Sequence, residues 1–138
     1  MDCVLDASIS LARVLPDEHS SVALRFMDRF LENGGKRFIV PVLWWHETSN
    51  ALVTAYRRRR IKEIDLERIS TLLAQLPIET DSYFGPEAAI RHRMLSLRHN
   101  LSIYDCVYLE LAQRRGIGLA TLDGPLAEVA RAAGLTVF

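Results

Sequence analysis

Hydrophobic positions along the chain fall into two kinds of run, short uninterrupted ones and longer ones with helical spacing, and the two kinds alternate. Cys3, Val4 and Leu5 form a short apolar run without polar alternation, which suits a strand covered on both faces, and Asp6 ends it. Ile9, Leu11, Ala12 and Leu15 then space a short helix over residues 8–14 that Ser8 is placed to cap and that Pro16 and Asp17 break. Ser20 or Ser21 opens a second helix, apolar at Val22, Leu24, Phe26, Phe30 and Leu31, and Asn33-Gly34-Gly35 stops it. A strand over residues 37–40 ends at Pro41, and a long helix follows from about residue 43 to 59. Asp65 starts a helix through Leu72 and Leu76 that Pro77 terminates; residues 77–80 read as a weak strand and 81–86 as a turn. Helices over residues 87–99 and 101–115, the latter opening at Ser102, lead through a break at 116–118 to a strand over 119–122. Asp123-Gly124-Pro125 launches a helix to Ala133, Gly134 caps it, and residues 135–138 form a last strand. Strands parted by helices need crossover connections, so the pattern predicts an α/β fold with a mainly parallel sheet and helices on both sides, in one domain over residues 1–138.

Composition narrows the function classes. A chain of 138 residues can bury a core without disulfide or metal staples, and 49% hydrophobic with 25% charged residues excludes a disordered chain. A formal charge of zero, from 17 basic and 17 acidic residues, excludes a protein that grips nucleic acid by bulk positive charge. Lys36 and Lys62 are the only lysines among those 17 cations, and the other fifteen, arginines, favour bidentate contact with phosphate or carboxylate. Cys3 and Cys106 fall inside apolar segments and fit neither a zinc pattern nor a disulfide framework, so they read as small buried hydrophobes. The longest apolar stretch, residues 39–45, is far short of the ~18 that a bilayer demands, and no secretory signal is visible. The expectation is a cytoplasmic protein without membrane contact.

Four acids stand out by position. Asp6 and Asp123 each follow an apolar strand, and an open parallel sheet gathers ligands at the carboxyl ends of its strands. Glu47 lies near the start of its helix, with Asn50 on the same face one turn away, and Asp105 lies in the first turn of another helix. Carboxylates brought together repel and raise one another's pKa values unless a cation neutralises them, and hard divalent ions do so. Each acid also fits a structural role. Ser102 and Asp105 match a capping box, Asp6 and Asp123 suit N-caps, and Glu47 suits the positive end of a helix dipole. A cap explains the residue type but not why all four share an edge.

The stretches Val4-Leu5-Asp6-Ala7-Ser8, Glu47-Thr48-Ser49-Asn50, Leu101-Ser102-Ile103-Tyr104-Asp105-Cys106-Val107-Tyr108 and Leu119-Ala120-Thr121-Leu122-Asp123 resemble, in order and spacing, the successive motifs of PIN-domain ribonucleases, above all the VapC toxins of toxin–antitoxin systems. The resemblance implies a three-layer α/β/α sandwich and Mg²⁺- or Mn²⁺-dependent endoribonuclease activity. It further implies a homodimer inhibited by a cognate VapB-like antitoxin. Carried over residue by residue, the metal-binding catalytic acids fall on Asp6, Glu47, Asp105 and Asp123, and the supporting positions on Ser8, Asn50 and Thr121. Residues 124–127 depart from relatives that carry further acids there.

Outside the motifs, Arg57, Arg58, Arg59 and Arg60 with Lys62 form the strongest local basic cluster, either a solvated helix end or a contact for RNA phosphates. Of the adjacent Trp44 and Trp45 at most one can lie fully in the core, and Phe26, Phe30 and Leu31 suit core packing or a partner groove. His19, His46, His92 and His99 show no zinc spacing. Two other functions fit acids at a sheet edge: a non-enzymatic, receiver-like binding module, which would want a lysine after a late strand, and a structure-specific DNA nuclease built on the same metal site.

Overall fold

The computed structural model describes residues 1–15 and 21–138; Pro16, Asp17, His19 and Ser20, invoked above, lie outside the described residues. Four strands, β1 (Asp2–Leu5), β2 (Arg37–Pro41), β3 (Ile78–Asp81) and β4 (Gly118–Ala120), form one sheet in the order β3-β2-β1-β4. Every pairing is parallel, with Val4 opposite Ile39 and Leu119, and Pro41 opposite Asp81. The helices among the described residues are α1 (Ala7–Val14), α2 (Ser21–Glu32), α3 (Val42–Arg57), α4 (Glu63–Ala74), α5 (Pro86–His99), α6 (Ile103–Arg115) and α7 (Gly124–Ala132). They flank the sheet as the outer layers of an α/β/α sandwich: α6 packs against β1, β2 and β4 with α5 and α7 beside it, while α1 packs on both α2 and α3, and α3 on β2. The uninterrupted apolar runs read from the sequence are the reason: Cys3, Val4, Leu5, Phe38, Ile39 and Val40 are wholly buried, as strands with helices on both faces must be.

Several boundaries depart from the sequence reading, each for a local reason. Ser8 does not cap α1; the helix opens at Ala7, and Ser8 is its second residue. Helix α4 begins two residues before Asp65, whose carboxylate accepts the Lys62 N–H at 2.8 Å and so fixes the first turn from the inside. Asp81, read as a turn residue, ends β3 and is buried. Strand β4 stops at Ala120 because Thr121 and the residues after it turn toward Asp6 and into α7. The last strand shrinks to a single bridge, Leu119 to Val137, since a three-residue β4 leaves little ladder to pair with. Trp44 is fully buried, with its indole N–H on Ser10 Oγ at 3.1 Å, while Trp45 is exposed and bonds Thr80.

From β1 the chain crosses to β2 on one side and, after β3, returns to β4 on the other. The point where this order reverses lies between β1 and β4, at whose carboxyl ends open parallel sheets gather their ligands.

Candidate active site

Asp6 stands at that point, directly after β1. It stands at the N-cap position of α1, yet its side chain makes no capping bond. Instead Oδ2 accepts the Ser8 hydroxyl at 2.7 Å and the Thr121 hydroxyl at 2.6 Å. Each hydroxyl is itself fixed by a backbone donor, Leu122 N–H on Ser8 Oγ and Asp123 N–H on Thr121 Oγ1, both at 3.0 Å. The single proton of each is thereby committed to Asp6, and the carboxyl ends of β1 and β4 are tied through one carboxylate oxygen. Burial, to 8% exposure, still pushes the Asp6 carboxyl above its ordinary range against these two bonds, and the nearby Asp123 charge adds to the push.

The other three acids arrive from different elements. Asp123 is a true N-cap of α7, Oδ1 accepting Leu126 N–H at 2.9 Å. At Asp105 the capping box is half formed: Ser102 Oγ accepts the Asp105 N–H at 3.1 Å. Glu47 is the sixth residue of α3, in its second turn rather than its first, so the helix dipole does not account for it. Its Oε1 accepts the hydroxyl of Tyr108 at 2.6 Å, and Tyr108 itself is 1% exposed.

These carboxylates sense one another. Burial raises Glu47, opposed by the Tyr108 bond and reinforced by the charges of Asp6 and Asp105; burial raises Asp105, reinforced by Asp123 and Asp6. Burial and the bond to Glu47 hold the Tyr108 phenol protonated, far above its usual range. Among the described residues, none of the four acids forms an ion pair.

Acids elsewhere in the chain are treated differently. Asp81 is held by both guanidinium groups of Arg114 and Arg115, at 2.6 and 2.9 Å, and Arg114 also takes the buried Glu110 at 2.7 Å. Burial pushes Asp81 up, but the bonds from Arg114 and Arg115 outweigh it and hold the carboxyl below its ordinary range. Arg37 pairs with Asp2 and Glu79 in the same network. The fold thus neutralises one buried acid cluster with arginine and leaves the other to repel itself.

That donor set fits a hard divalent cation. All four groups are carboxylates, and among the described residues no cationic side chain pairs with them. Among the described residues, no three His, Cys, Asp or Glu side chains close into a ready-made metal cage. Mg²⁺ does not demand one, because it commonly takes one or two protein carboxylates and keeps water or phosphate oxygens for the rest.

Of the supporting positions, Ser8 and Thr121 contact Asp6 directly, whereas Asn50 is exposed on α3 and hydrogen-bonds none of the acids. Arg57, Arg58, Arg59 and Arg60 are exposed at the far end of α3, about 15 Å from Glu47 at 1.5 Å per residue. The sequence reading did not assign Tyr108 a role. The available signal was its place three residues after Asp105, which puts both on one face of α6.

Comparison with known proteins agrees with this architecture. The PIN domain family pattern matches residues 3–132, and the chain belongs to that family. Within it the chain is of VapC type: it is 31% identical over 133 residues, 93% of this chain and 94% of the relative, to Ribonuclease VapC3 of Pyrobaculum aerophilum. Its fold matches the crystal structure of PAE2754 from Pyrobaculum aerophilum with a TM-score of 0.67, at 21% identity over 99% of this chain and 83% of that one.

Proposed function

We propose that this chain is a metal-dependent endoribonuclease whose Asp6, Glu47, Asp105 and Asp123 hold Mg²⁺ or Mn²⁺ at the switch point of the sheet. The observation that carries the reading is that Asp6, Glu47 and Asp105 each feel the charge of another of the four acids and that none of the four forms an ion pair among the described residues. A divalent ion bound there supplies a lowered pKa for the attacking water and charge stabilisation for the phosphodiester. The chain's own residues do the positioning. Ser8 and Thr121 lock one oxygen of Asp6 in place, Tyr108 orients Glu47, and Ser102 and the α7 turn fix Asp105 and Asp123. The relative's name, Ribonuclease VapC3, favours RNA over DNA as the substrate. Matched RNA and DNA oligonucleotides separate the two: cutting of the RNA strand alone is expected, and equal cutting of both would favour the DNA-nuclease alternative. A receiver-like module is disfavoured, since Lys36 lies exposed just before β2, its N–H on Met1 O, and Lys62 caps α4 far from Asp6 in the chain.

The same reading makes the chain the toxin of a toxin–antitoxin pair, silenced by a VapB-like antitoxin, and a cytoplasmic homodimer. Among the described residues no helix is long and apolar enough to cross a membrane. Helix α5 presents Ile90, Met94 and Leu97 outward at helical spacing, a stripe suited to a second copy. Changing Met94 and Leu97 together to Glu is expected to convert dimer to monomer in sedimentation, with the thermal midpoint of the monomer little changed. The arginine run is proposed to hold RNA phosphates. Changing Arg58 and Arg59 to Ala should then make the slope of log affinity against log salt shallower by about 1.4, since single strands lose about 0.7 per phosphate contact. An unchanged slope would return the run to a solvated helix end.

A further inference from the structure

Three of the four acids follow an exposed side chain: His46 precedes Glu47, Tyr104 precedes Asp105 and Leu122 precedes Asp123. A cation site needs neither a tyrosine nor a leucine at its lip. On α6 successive residues turn by about 100°, so Tyr104, Tyr108 and Asp105 fall within one arc of about 100°. Tyr108 reaches Glu47 from that arc, and Asp105 is coupled to Asp6 and Asp123 from it. Tyr104 therefore borders the acids, one turn nearer the amino end of α6 than Tyr108, and it is 62% exposed with no hydrogen bond or ring contact among the described residues. Leu122 stands exposed on the turn that carries Asp123, its N–H on Ser8 Oγ.

A phosphodiester drawn to the acids presents a nucleobase on either side, and an exposed aromatic ring is the surface on which an unpaired base stacks. Bases inside an A-form duplex are stacked on one another and cannot reach it. We infer that Tyr104 is the stacking platform for the nucleobase beside the phosphodiester at the acid cluster. The inference rests on the nuclease reading for its substrate but is tested by binding alone.

Fluorescence anisotropy of a labelled single-stranded RNA of about ten nucleotides, with Ca²⁺ in place of Mg²⁺ to suppress turnover, reads it directly. Tyr104→Ala is expected to weaken binding about tenfold, and Tyr104→Phe and Tyr104→Trp to stay within about twofold of wild type. The same strand annealed to its complement should bind more weakly, with an affinity that Tyr104→Ala does not alter. Equal single-strand affinity of wild type and Tyr104→Ala would overturn the inference, as would a duplex bound as tightly as the single strand. The nuclease reading is judged separately, by whether wild type cleaves in Mg²⁺, which neither binding result touches.

Discussion

Asp6→Asn is expected to lower RNA cleavage by about 10²–10³-fold or more while leaving the metal-free protein at least as stable as wild type. Asparagine keeps a side-chain oxygen to accept the hydroxyls of Ser8 and Thr121, so the tie between β1 and β4 survives. What disappears is one negative charge from a self-repelling group. The sign follows from linkage. Asp6, Glu47 and Asp105 all titrate above their ordinary range in the fold, so their ionisation costs stability as pH rises from the unfolded carboxylate value through the raised ones. Above the raised values that cost is fully present, and the variant is relieved of part of it. Below about pH 4 the carboxyls are protonated in both states and the difference vanishes. Adding Mg²⁺ should reverse the order, raising the melting temperature of wild type by ligand linkage and moving the variant little. A variant that melts well below wild type at neutral pH without metal would show that Asp6 is a structural anchor first.

The second large effect lies away from Asp6. Asp81→Ala leaves Arg114 and Arg115 without the carboxylate both of them clasp, at the edge strand and beside the buried Glu110. Removing one member of a fully buried pair costs about 3–5 kcal/mol; the two guanidinium groups are about a third exposed, which brings the expected loss in urea unfolding to about 2–3 kcal/mol. Because the arginines hold Asp81 below its ordinary range, its stabilisation is complete above the unfolded carboxylate pKa and is lost as pH falls toward the lowered value. Wild type and variant should therefore converge in acid. Cleavage by the variant is expected to stay near wild type wherever it is folded, which separates the two acid clusters by function.

The elements that place the site were legible because each ends on a change of pattern. The apolar run of β1 stops at Asp6, the Ser102 cap opens α6 just before Asp105, and Gly124-Pro125 after Asp123 marks the start of α7. That the four acids share an edge was an inference from strand ends; in the fold Asp6 feels the charge of Asp123, Glu47 those of Asp6 and Asp105, and Asp105 those of Asp123 and Asp6, while no three of them among the described residues close into a metal cage. What could not be read is whatever depends on distant pairing. The bond from Tyr108 to Glu47 joins residues 61 apart, and a tyrosine in a helix reads as core until its partner is known. Asp81, Arg114 and Arg115 look like solvated turn and helix-end charges, and only their convergence over 33 or 34 residues shows a buried network. Ser8 suits a cap by type, yet its hydroxyl is drawn to a carboxylate two residues back because Leu122 N–H occupies its other side.

The central claim is that the carboxylates at the β1–β4 switch point form a divalent-cation site that cleaves RNA. Cleavage of one defined RNA oligonucleotide, followed while Mg²⁺ is titrated and then withdrawn with EDTA, tests it most directly. Activity should rise to saturation with Mg²⁺ and vanish in EDTA, return on re-addition of Mg²⁺ or Mn²⁺, and be absent throughout in Asp105→Asn. Cleavage at the wild-type rate in EDTA, or by Asp105→Asn, would contradict it.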